Sequence, residues 1–462
     1  MTVTQRRARL ALLVLGIAVA AGLILSGLEG GSLPTPPGAR AVRPVGAESS
    51  LPYVPAREAD FVTRAAAGNA HALFVKSPGG AVVTASRVAP YRALIDRATA
   101  GTTINPNLLE GLVFVESAGR PQIIAGSDPA DAAGLTQILA QTGQSLLGLH
   151  IDLTASRRLT TQIDAVAAGT RAGRLTPLLS RRAAIDARFD PATELAATVR
   201  YLQLAEHQFG RQDLAFESYH MGIGNLHHVL TDYDGGRAVP YARLYFDTAP
   251  DRHRAAYDLL AGFGDDSSLY YWRLLEGVAV MHLYRTHPRA LGRLASLQTA
   301  DAAGAAVLHP PDRGSALPDP AALAAAYQSR AIVPLPSNAA RLGLAFDASM
   351  GAGARSVGAP VALYRGLRPA ALRRLIELAA RVRALSGRPG VIRVHTTVSD
   401  TRYQHQLGLD DVPATTGYSF QIDRRYSSRA QAIALQAVLD RLQSLDLIAW
   451  APEGSVIEVT VA

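Results

Sequence analysis

Glu116 is a carboxylate at the end of an apolar, helix-forming stretch, where its side chain could act as an acid. Asn105 is a favourable N-cap and Pro106 suits the first helical position, so a helix is predicted to begin there. In such a helix Leu108, Leu112 and Glu116 recur every fourth residue on one face. Burial there would raise the pKa of the carboxyl, and a carboxyl that is neutral at working pH can serve as a general acid. The alternative is an ordinary, partly exposed or ion-paired glutamate.

Three later stretches belong with the Glu116 helix. They are Gly134–Ile138 (GLTQI), Phe189–Leu195 (FDPATEL, continuing as a helix to Tyr201-Leu202) and Ala215–Leu226 (AFESYHMGIGNL). With Glu116-Ser117, they resemble the motifs of the soluble lytic transglycosylase family, which is related to goose-type lysozyme. The family pattern is Glu-Ser ending a helix, Gly-Leu-Met-Gln, Asp-Pro opening a helix with Tyr-Leu, and Ala-Tyr-Asn-Ala-Gly-x-Gly. The resemblance covers about residues 88–245, with a longer insertion than usual at 146–188.

The resemblance implies an enzyme that cleaves peptidoglycan glycan strands with Glu116 as its catalytic residue. Glu116 would protonate the glycosidic oxygen between N-acetylmuramic acid and N-acetylglucosamine. It would then act as a base on the muramic C6 hydroxyl, which closes a 1,6-anhydro ring. This chemistry needs no cofactor and no second carboxylate, unlike the usual glycosidase pair. Asp128, Asp131 and Glu217 nevertheless stay open as second acids.

The same resemblance implies that Ser117, Gln137, Tyr219 and Gly222 bind substrate. Gln137 would hydrogen-bond the sugar or its N-acetyl groups, and Tyr219 would direct its hydroxyl at the Glu116 carboxyl and the N-acetyl group. Ser117 would either orient the substrate or bond back to its own helix. Gly222 is the first glycine of the family's Gly-x-Gly.

Three positions depart from the family pattern and leave other functions open. Thr136 stands where the family usually has Met, and His220-Met221 replace Asn-Ala. These changes would touch the substrate groove. Within the same chemistry, one alternative is a hydrolytic muramidase that uses the same acid with a water. The other is a non-catalytic peptidoglycan-binding protein of an envelope assembly.

Composition restricts the partners of the chain. It has 462 residues and a net charge of +8, and Lys76 is its one lysine. A net positive charge favours anionic partners such as cell-wall polymer or a membrane surface. Nucleic acid is not expected, because no basic run is interleaved with aromatic residues. The absence of cysteine excludes disulfides, thiolate zinc sites and a lipid-modified cysteine.

The N-terminal segment predicts a membrane anchor. Residues 10–28 carry no charge over a length that can span a bilayer, and Arg6, Arg7 and Arg9 precede them. This arrangement predicts a periplasmic protein, anchored in the inner membrane by residues 10–28. The alternative is a signal peptide cleaved after Ala18-Val19-Ala20.

The predicted fold class is multidomain α and α+β, with a mainly helical lysozyme-like domain followed by a smaller α+β domain. Residues 1–30 are predicted as the anchor or signal segment, 31–87 as a linker and N-terminal extension, and 88–299 as the transglycosylase domain. Residues 300–318 are predicted as a second linker and 319–462 as the C-terminal domain. Within the extension, residues 56–85 are expected to form a short helix and a hairpin around Gly79-Gly80.

The C-terminal segment is predicted to alternate helices and strands. Helices are expected at 367–385 and 428–442, strands at 391–398 and 417–422, and a terminal hairpin around Glu453-Gly454. Parts of this segment weakly resemble the zinc D-alanyl-D-alanine carboxypeptidase fold. Ala414 and Gln421 occupy the positions of that family's first His and its Asp, and no His follows in the last strand, so no metal is expected. The resemblance implies a degenerate, non-catalytic relative that binds stem peptides, and an unrelated α+β domain is the alternative interpretation.

Overall fold

The fold is seen in a computed structural model that describes residues 33–44, 52–168, 175–310, 316–409 and 412–462. The chain is mainly helical and ends in a smaller α+β region, as predicted. The predicted membrane segment, residues 10–28, lies outside the described residues. Within the described ranges no helix has the length and apolar character needed to cross a membrane.

The helical part occupies the chain up to Leu308. Its helices are α1 (Glu58–Gly68), α2 (Ala70–Lys76), α3 (Ala81–Val88), α4 (Arg92–Thr99), α5 (Pro106–Ser117), α6 (Ala140–Ser145), α7 (Leu153–Ala167), α8 (Leu175–Ile185), α9 (Pro191–Phe209), α10 (Gln212–Met221), α11 (Ile223–Asp234), α12 (Tyr241–Asp247), α13 (Arg254–Gly262), α14 (Gly264–Ser268), α15 (Tyr270–Thr286), α16 (Pro288–Gln298) and α17 (Ala303–Leu308). α17 lies within residues 300–318, the stretch predicted as a linker.

The hairpin predicted around Gly79-Gly80 is wrong, because residues 58–88 form α1, α2 and α3. Both glycines have positive φ angles, of 76° and 90°, and they make the turn between α2 and α3. A glycine turn is compatible with either a hairpin or a helix–helix connection, so this local signal could not decide between them.

The helix predicted at Asn105-Pro106 is confirmed as α5. The Asn105 side chain caps it by accepting a hydrogen bond from the backbone N–H of Asn107, at 2.9 Å. The helix ends where Ala118 and Gly119 enter the left-handed region, with φ of 55° and 72°. A Cβ atom on Gly119 would lie 2.8 Å from the backbone N of Val88, so the chain turns here against α3. Glu116 is consequently held in the last turn of α5.

Two glycines let α5 and α15 pack backbone to backbone. A Cβ atom on Gly111 would lie 2.7 Å from the carbonyl oxygen of Leu274, and one on Gly277 would lie 3.2 Å from the carbonyl oxygen of Gly111. The helices run antiparallel, because the end of α5 that carries Glu116 meets the beginning of α15 at Tyr270. The crossing therefore sets the distance between these two side chains.

The C-terminal region is built on a five-stranded sheet with the strand order β2 (Leu344–Phe346), β4 (Ile392–Thr396), β5 (Ser419–Asp423), β7 (Val456–Val461) and β6 (Ile448–Glu453). β2 and β4 are parallel and the other pairs are antiparallel. The predicted terminal hairpin is confirmed: β6 and β7 pair with Glu453 opposite Val456. The elements of this region are α18 (Pro320–Gln328), β1 (Val333–Pro334), β2 (Leu344–Phe346), β3 (Gly366–Leu367), α19 (Pro369–Ser386), β4 (Ile392–Thr396), α20 (Thr401–Gln406), β5 (Ser419–Asp423), α21 (Arg429–Ser444), β6 (Ile448–Glu453) and β7 (Val456–Val461).

The C-terminal sheet and its helices pack directly on the helical part. Buried apolar residues of both parts form one continuous cluster. Arg441 of α21 donates hydrogen bonds to the carbonyl oxygens of Tyr245 (2.5 Å) and Thr248 (2.7 Å). Its guanidinium also lies 4.7 Å from the centre of the Tyr245 ring. These charge-assisted and cation–π contacts fix α21 against the end of α12.

Candidate active site

Glu116 is held by one strong hydrogen bond in a largely desolvated position. Tyr270 donates its hydroxyl to Oε1 of Glu116 at 2.6 Å. The Glu116 side chain is nevertheless only half-buried, so it can be reached from solvent. Burial raises the pKa of Glu116 to about 7, although the hydrogen bond from Tyr270 acts in the opposite direction. The carboxyl is therefore substantially protonated near neutral pH, as a general acid requires.

The Glu116 carboxyl faces an open cleft of about 330 Å³, which we call the Glu116 cleft. It lies between the end of α5, the end of α2 and the start of α15. A cleft of this size that contains a carboxyl with a raised pKa is typical of an active site. Its charged side chains and its histidine are Lys76, Glu116, Arg120, His220, Asp266 and Arg273.

Tyr270 is a candidate site residue that the sequence analysis missed. Its ring is fully buried, and burial together with the nearby Glu116 raises the pKa of its hydroxyl. The hydroxyl therefore stays protonated and is available to donate to the carboxyl. The aromatic run 270–272 and the mid-helix glycines 111 and 277 were the available signals. Neither the aromatic run nor the glycines predict which helix packs against α5, because residues 116 and 270 come together only through tertiary packing.

Glu217 and His220 hold Tyr270 in place from α10. Oε2 of Glu217 accepts a hydrogen bond from the backbone N–H of Tyr271 at 3.0 Å, which caps the first turn of α15. The His220 ring stacks on the Tyr270 ring, with 5.0 Å between centroids and 26° between planes. His220 Nδ1 lies 3.2 Å from the Ser267 hydroxyl.

The Tyr219 hydroxyl is not bonded to Glu116, so this predicted contact is wrong. It donates instead to the carbonyl oxygen of Thr136, at 2.9 Å. Burial and, to a smaller extent, the charge of Glu116 raise the pKa of Tyr219, so its hydroxyl stays protonated. Tyr270 makes the contact that the family resemblance assigned to Tyr219.

The loop that contains Gln137 is fixed by a buried carboxyl. Glu194 accepts hydrogen bonds from the backbone N–H groups of Leu135 (2.6 Å) and Thr136 (2.8 Å). A Cβ atom on Gly134 would lie 2.4 Å from Glu194 Oε1, so only glycine fits there. Gln137 has a left-handed backbone with φ of 58°, and its Nε2 donates to the carbonyl oxygen of Gly134 at 2.8 Å. The Gln137 amide therefore donates within its own loop and not into the Glu116 cleft.

Ser117 and Gly222 have structural roles in this arrangement. Ser117 is fully buried and its hydroxyl donates to the carbonyl oxygen of Val113 at 3.3 Å, so it bonds back to its own helix. Gly222 ends α10 with φ of 89° and ψ of 138°, a conformation that favours glycine. Ser117 touches the Glu116 cleft, whereas Gln137, Tyr219 and Gly222 lie outside its lining.

The candidate second acids do not face Glu116 across the cleft. Asp128 is paired with Arg157 at 2.9 Å, Asp131 is exposed in its loop, and Glu217 is fully buried beneath α15. The second carboxylate on the cleft wall is Asp266, which the sequence did not indicate. Hydrogen bonds from Lys76 (3.0 Å) and Arg273 (2.6 Å) lower its pKa, so it is ionised and already paired.

Across the described residues there is no group of three His, Cys, Asp or Glu side chains that could hold a metal ion. Ala414, at the position of a zinc ligand in the carboxypeptidase comparison, is buried in a short 3₁₀ helix. Gln421 lies on β5 opposite Glu458 of β7.

No protein-family model matches this chain, and no curated protein shows significant sequence similarity to it.

Proposed function

We propose that this protein is a peptidoglycan lytic transglycosylase with Glu116 as its general acid and base. The observation that carries the proposal is a half-buried carboxyl with a pKa of about 7 on the wall of an open cleft, oriented by the hydroxyl of Tyr270. Four sequence motifs in the family's order indicate the substrate. We further propose that residues 10–28 anchor the protein at the periplasmic face of the inner membrane.

In the proposed reaction, protonated Glu116 gives its proton to the glycosidic oxygen between N-acetylmuramic acid and N-acetylglucosamine. The carboxylate then takes the proton of the muramic C6 hydroxyl while that oxygen attacks C1 of the same sugar. The pKa of about 7 suits both roles, because neither protonation state is strongly disfavoured near neutral pH. The intramolecular nucleophile removes the need for a second carboxylate, which agrees with Asp266 being occupied by two cations.

A hydrolytic muramidase is a second candidate because of His220. His220 lines the Glu116 cleft with its ring stacked on Tyr270, and the resulting partial desolvation lowers the pKa of the imidazole. A neutral imidazole could act as a base on a water molecule. In that case the product would carry a reducing end in place of the anhydro ring.

The proposal is tested by release of soluble fragments from purified sacculi. The full chain in detergent should solubilise them, and Glu116→Gln should reduce the rate by about two to four orders of magnitude. Glu453→Gln is a matched control, because Glu453 is exposed in β6 and does not line the Glu116 cleft. If neither the wild type nor the control releases fragments while both pellet with sacculi, the function is wall binding.

A further inference from the structure

One wall of the Glu116 cleft carries more positive charge than its carboxylates neutralise. Lys76 and Arg273 both bond to the same carboxylate, Asp266, at 3.0 Å and 2.6 Å. Arg120 lies on this wall as well, and among the described residues no carboxylate lies within 4.0 Å of its guanidinium. This wall therefore carries three cations and, apart from Glu116, one carboxylate, which pairs with Lys76 and Arg273 and not with Arg120.

Arg120 is held by its inner nitrogen and leaves its outer nitrogens free. Its Nε donates to the carbonyl oxygen of Ser117 at 3.0 Å, and Arg87 donates beside it to the carbonyl oxygen of Ala118 at 2.9 Å. A cation at the C-terminus of α5 is favourable, which accounts for the Nε contact. Neither terminal nitrogen of Arg120 has an acceptor within the part of the chain that the structure describes, and neither is buried.

The surroundings of Arg120 favour an anion. Partial burial and the neighbouring Arg87 lower the pKa of Arg120, because both disfavour an additional positive charge there. An incoming carboxylate would relieve this repulsion and could accept two parallel hydrogen bonds from the guanidinium fork. The half-exposed side chain is already oriented by its Nε contact, so little further ordering is required on binding.

We propose that Arg120 forms an anion subsite that binds a carboxylate of the peptide stem attached to the N-acetylmuramic acid being cleaved. The inference rests on the proposed function, since that sugar carries the stem on its lactyl group and must lie next to Glu116. Glu116 and Arg120 line the same cleft, one at the end of α5 and the other just beyond it. The subsite makes the enzyme selective for stem-bearing strands over bare glycan strands.

The kinetic test compares glycan strands that carry tetrapeptide stems with the same strands after amidase treatment. Wild type should show a higher kcat/KM on stem-bearing strands. Arg120→Gln should lower the stem-bearing to bare ratio by about ten-fold or more, mainly through KM, as loss of a charge-assisted hydrogen bond predicts. Arg120→Lys, which keeps the charge at the end of α5, should lose part of this preference. Arg293→Gln is the control, because Arg293 is exposed on α16 away from the cleft.

A binding test keeps this inference separate from the proposed function. The isolated tetrapeptide stem, titrated calorimetrically into the full chain, should bind to wild type and at least about ten-fold more weakly to Arg120→Gln. If the protein cleaves neither stem-bearing nor bare strands but binds the stem through Arg120, the proposed function is wrong and the subsite is supported. Equal losses of Arg120→Gln on both strand types, or stem binding that is absent or unchanged in the variant, would overturn the subsite.

Discussion

At the scale of single residues, the protonation of Glu116 is set by two opposing effects. Burial raises its pKa, and the hydrogen bond donated by Tyr270 stabilises the charged form and lowers it. The net result, a pKa of about 7, means that the protonated form of Glu116, the proposed general acid, is lost as the pH rises through about 7. The rate of glycan cleavage, expressed as kcat/KM, should therefore fall on the alkaline side of this value.

Tyr270→Phe should move the alkaline limb of this pH profile upward, by about 0.5 to 1 pH unit. The phenyl ring keeps the packing of α15 but removes the donor that favours the carboxylate. The rate should also fall by about three- to ten-fold, because the carboxyl loses its orientation. The measurement is kcat/KM on soluble glycan strands across the pH range.

A matched control for this variant is Tyr327→Phe. Tyr327 is also buried and donates its hydroxyl to a backbone carbonyl, that of Leu363, far from the cleft. Tyr327→Phe should therefore leave the pH of the alkaline limb of the kcat/KM profile unchanged. A limb that stays in place or moves to lower pH in Tyr270→Phe would mean that the hydroxyl does not control the acid.

At the scale of elements, the site depends on how α15 is placed against α5. Gly111 and Gly277 allow the close crossing, and Glu217 caps the first turn of α15 beside Tyr270. Burial raises the pKa of Glu217 to about 8. A carboxyl that is protonated at neutral pH supplies this contact without a buried negative charge.

Gly111→Ala should separate the two helices and impair catalysis. The added Cβ atom would meet the Leu274 carbonyl at 2.7 Å and a Val278 methyl at 2.8 Å. Overpacking of this kind should lower the free energy of unfolding by about 1–3 kcal/mol. It should also reduce kcat, because Tyr270 moves away from Glu116. Both quantities are measured, by urea titration and by sacculus digestion.

Gly292→Ala provides the comparison in the same helical part of the chain. Gly292 lies within α16 and has no atom within 4 Å of its would-be Cβ. Replacing it should raise the free energy of unfolding by up to about 1 kcal/mol through helix propensity, with no change in kcat. If Gly111→Ala behaves like Gly292→Ala, close packing of α5 on α15 is not what orients the site.

Local signals account for what the sequence predicted well. Asn105-Pro106 gave the start of α5, Asp190-Pro191 the start of α9, and Glu453-Gly454 the turn between β6 and β7. The partner of Glu116 could not be predicted in this way. Tyr270 is 154 residues away in the chain, and its placement depends on a helix crossing that no local pattern specifies. Tyr219 resembled the family's tyrosine in sequence, yet its hydroxyl is taken by the Thr136 carbonyl.

At the scale of the whole molecule, the helical part buries several carboxyls that stay protonated near neutral pH. Burial raises the pKa values of Glu194, Glu217 and Glu276 to about 8 and that of Glu116 to about 7. Their ordinary value, which holds in the unfolded chain, is 4.5. Above that value the folded state holds protons that the unfolded state has released. Stability must therefore fall as the pH rises towards these folded-state pKa values.

Between pH 6.5 and 8 the free energy of unfolding, measured by denaturant titration, should fall by up to about 1.4 kcal/mol per pH unit for each of these carboxyls. Glu276→Gln should reduce this slope by up to about 1.4 kcal/mol per pH unit, because the amide mimics the protonated acid. Glu276 does not line the Glu116 cleft, so its replacement isolates stability from catalysis. A flat or rising dependence in wild type would show that these carboxyls are ionised in the folded state.

The central claim is tested most directly by mass spectrometry of sacculi digested by the full chain in isotopically labelled water. The claim predicts muropeptides that are lighter than hydrolytic products by one water and free of label, because the muramic hydroxyl closes the ring. Glu116→Gln should yield none of them. Products that carry the label at a reducing end would contradict the claim and make the enzyme a muramidase. Anhydro products that persist undiminished in Glu116→Gln would show that another residue is the acid.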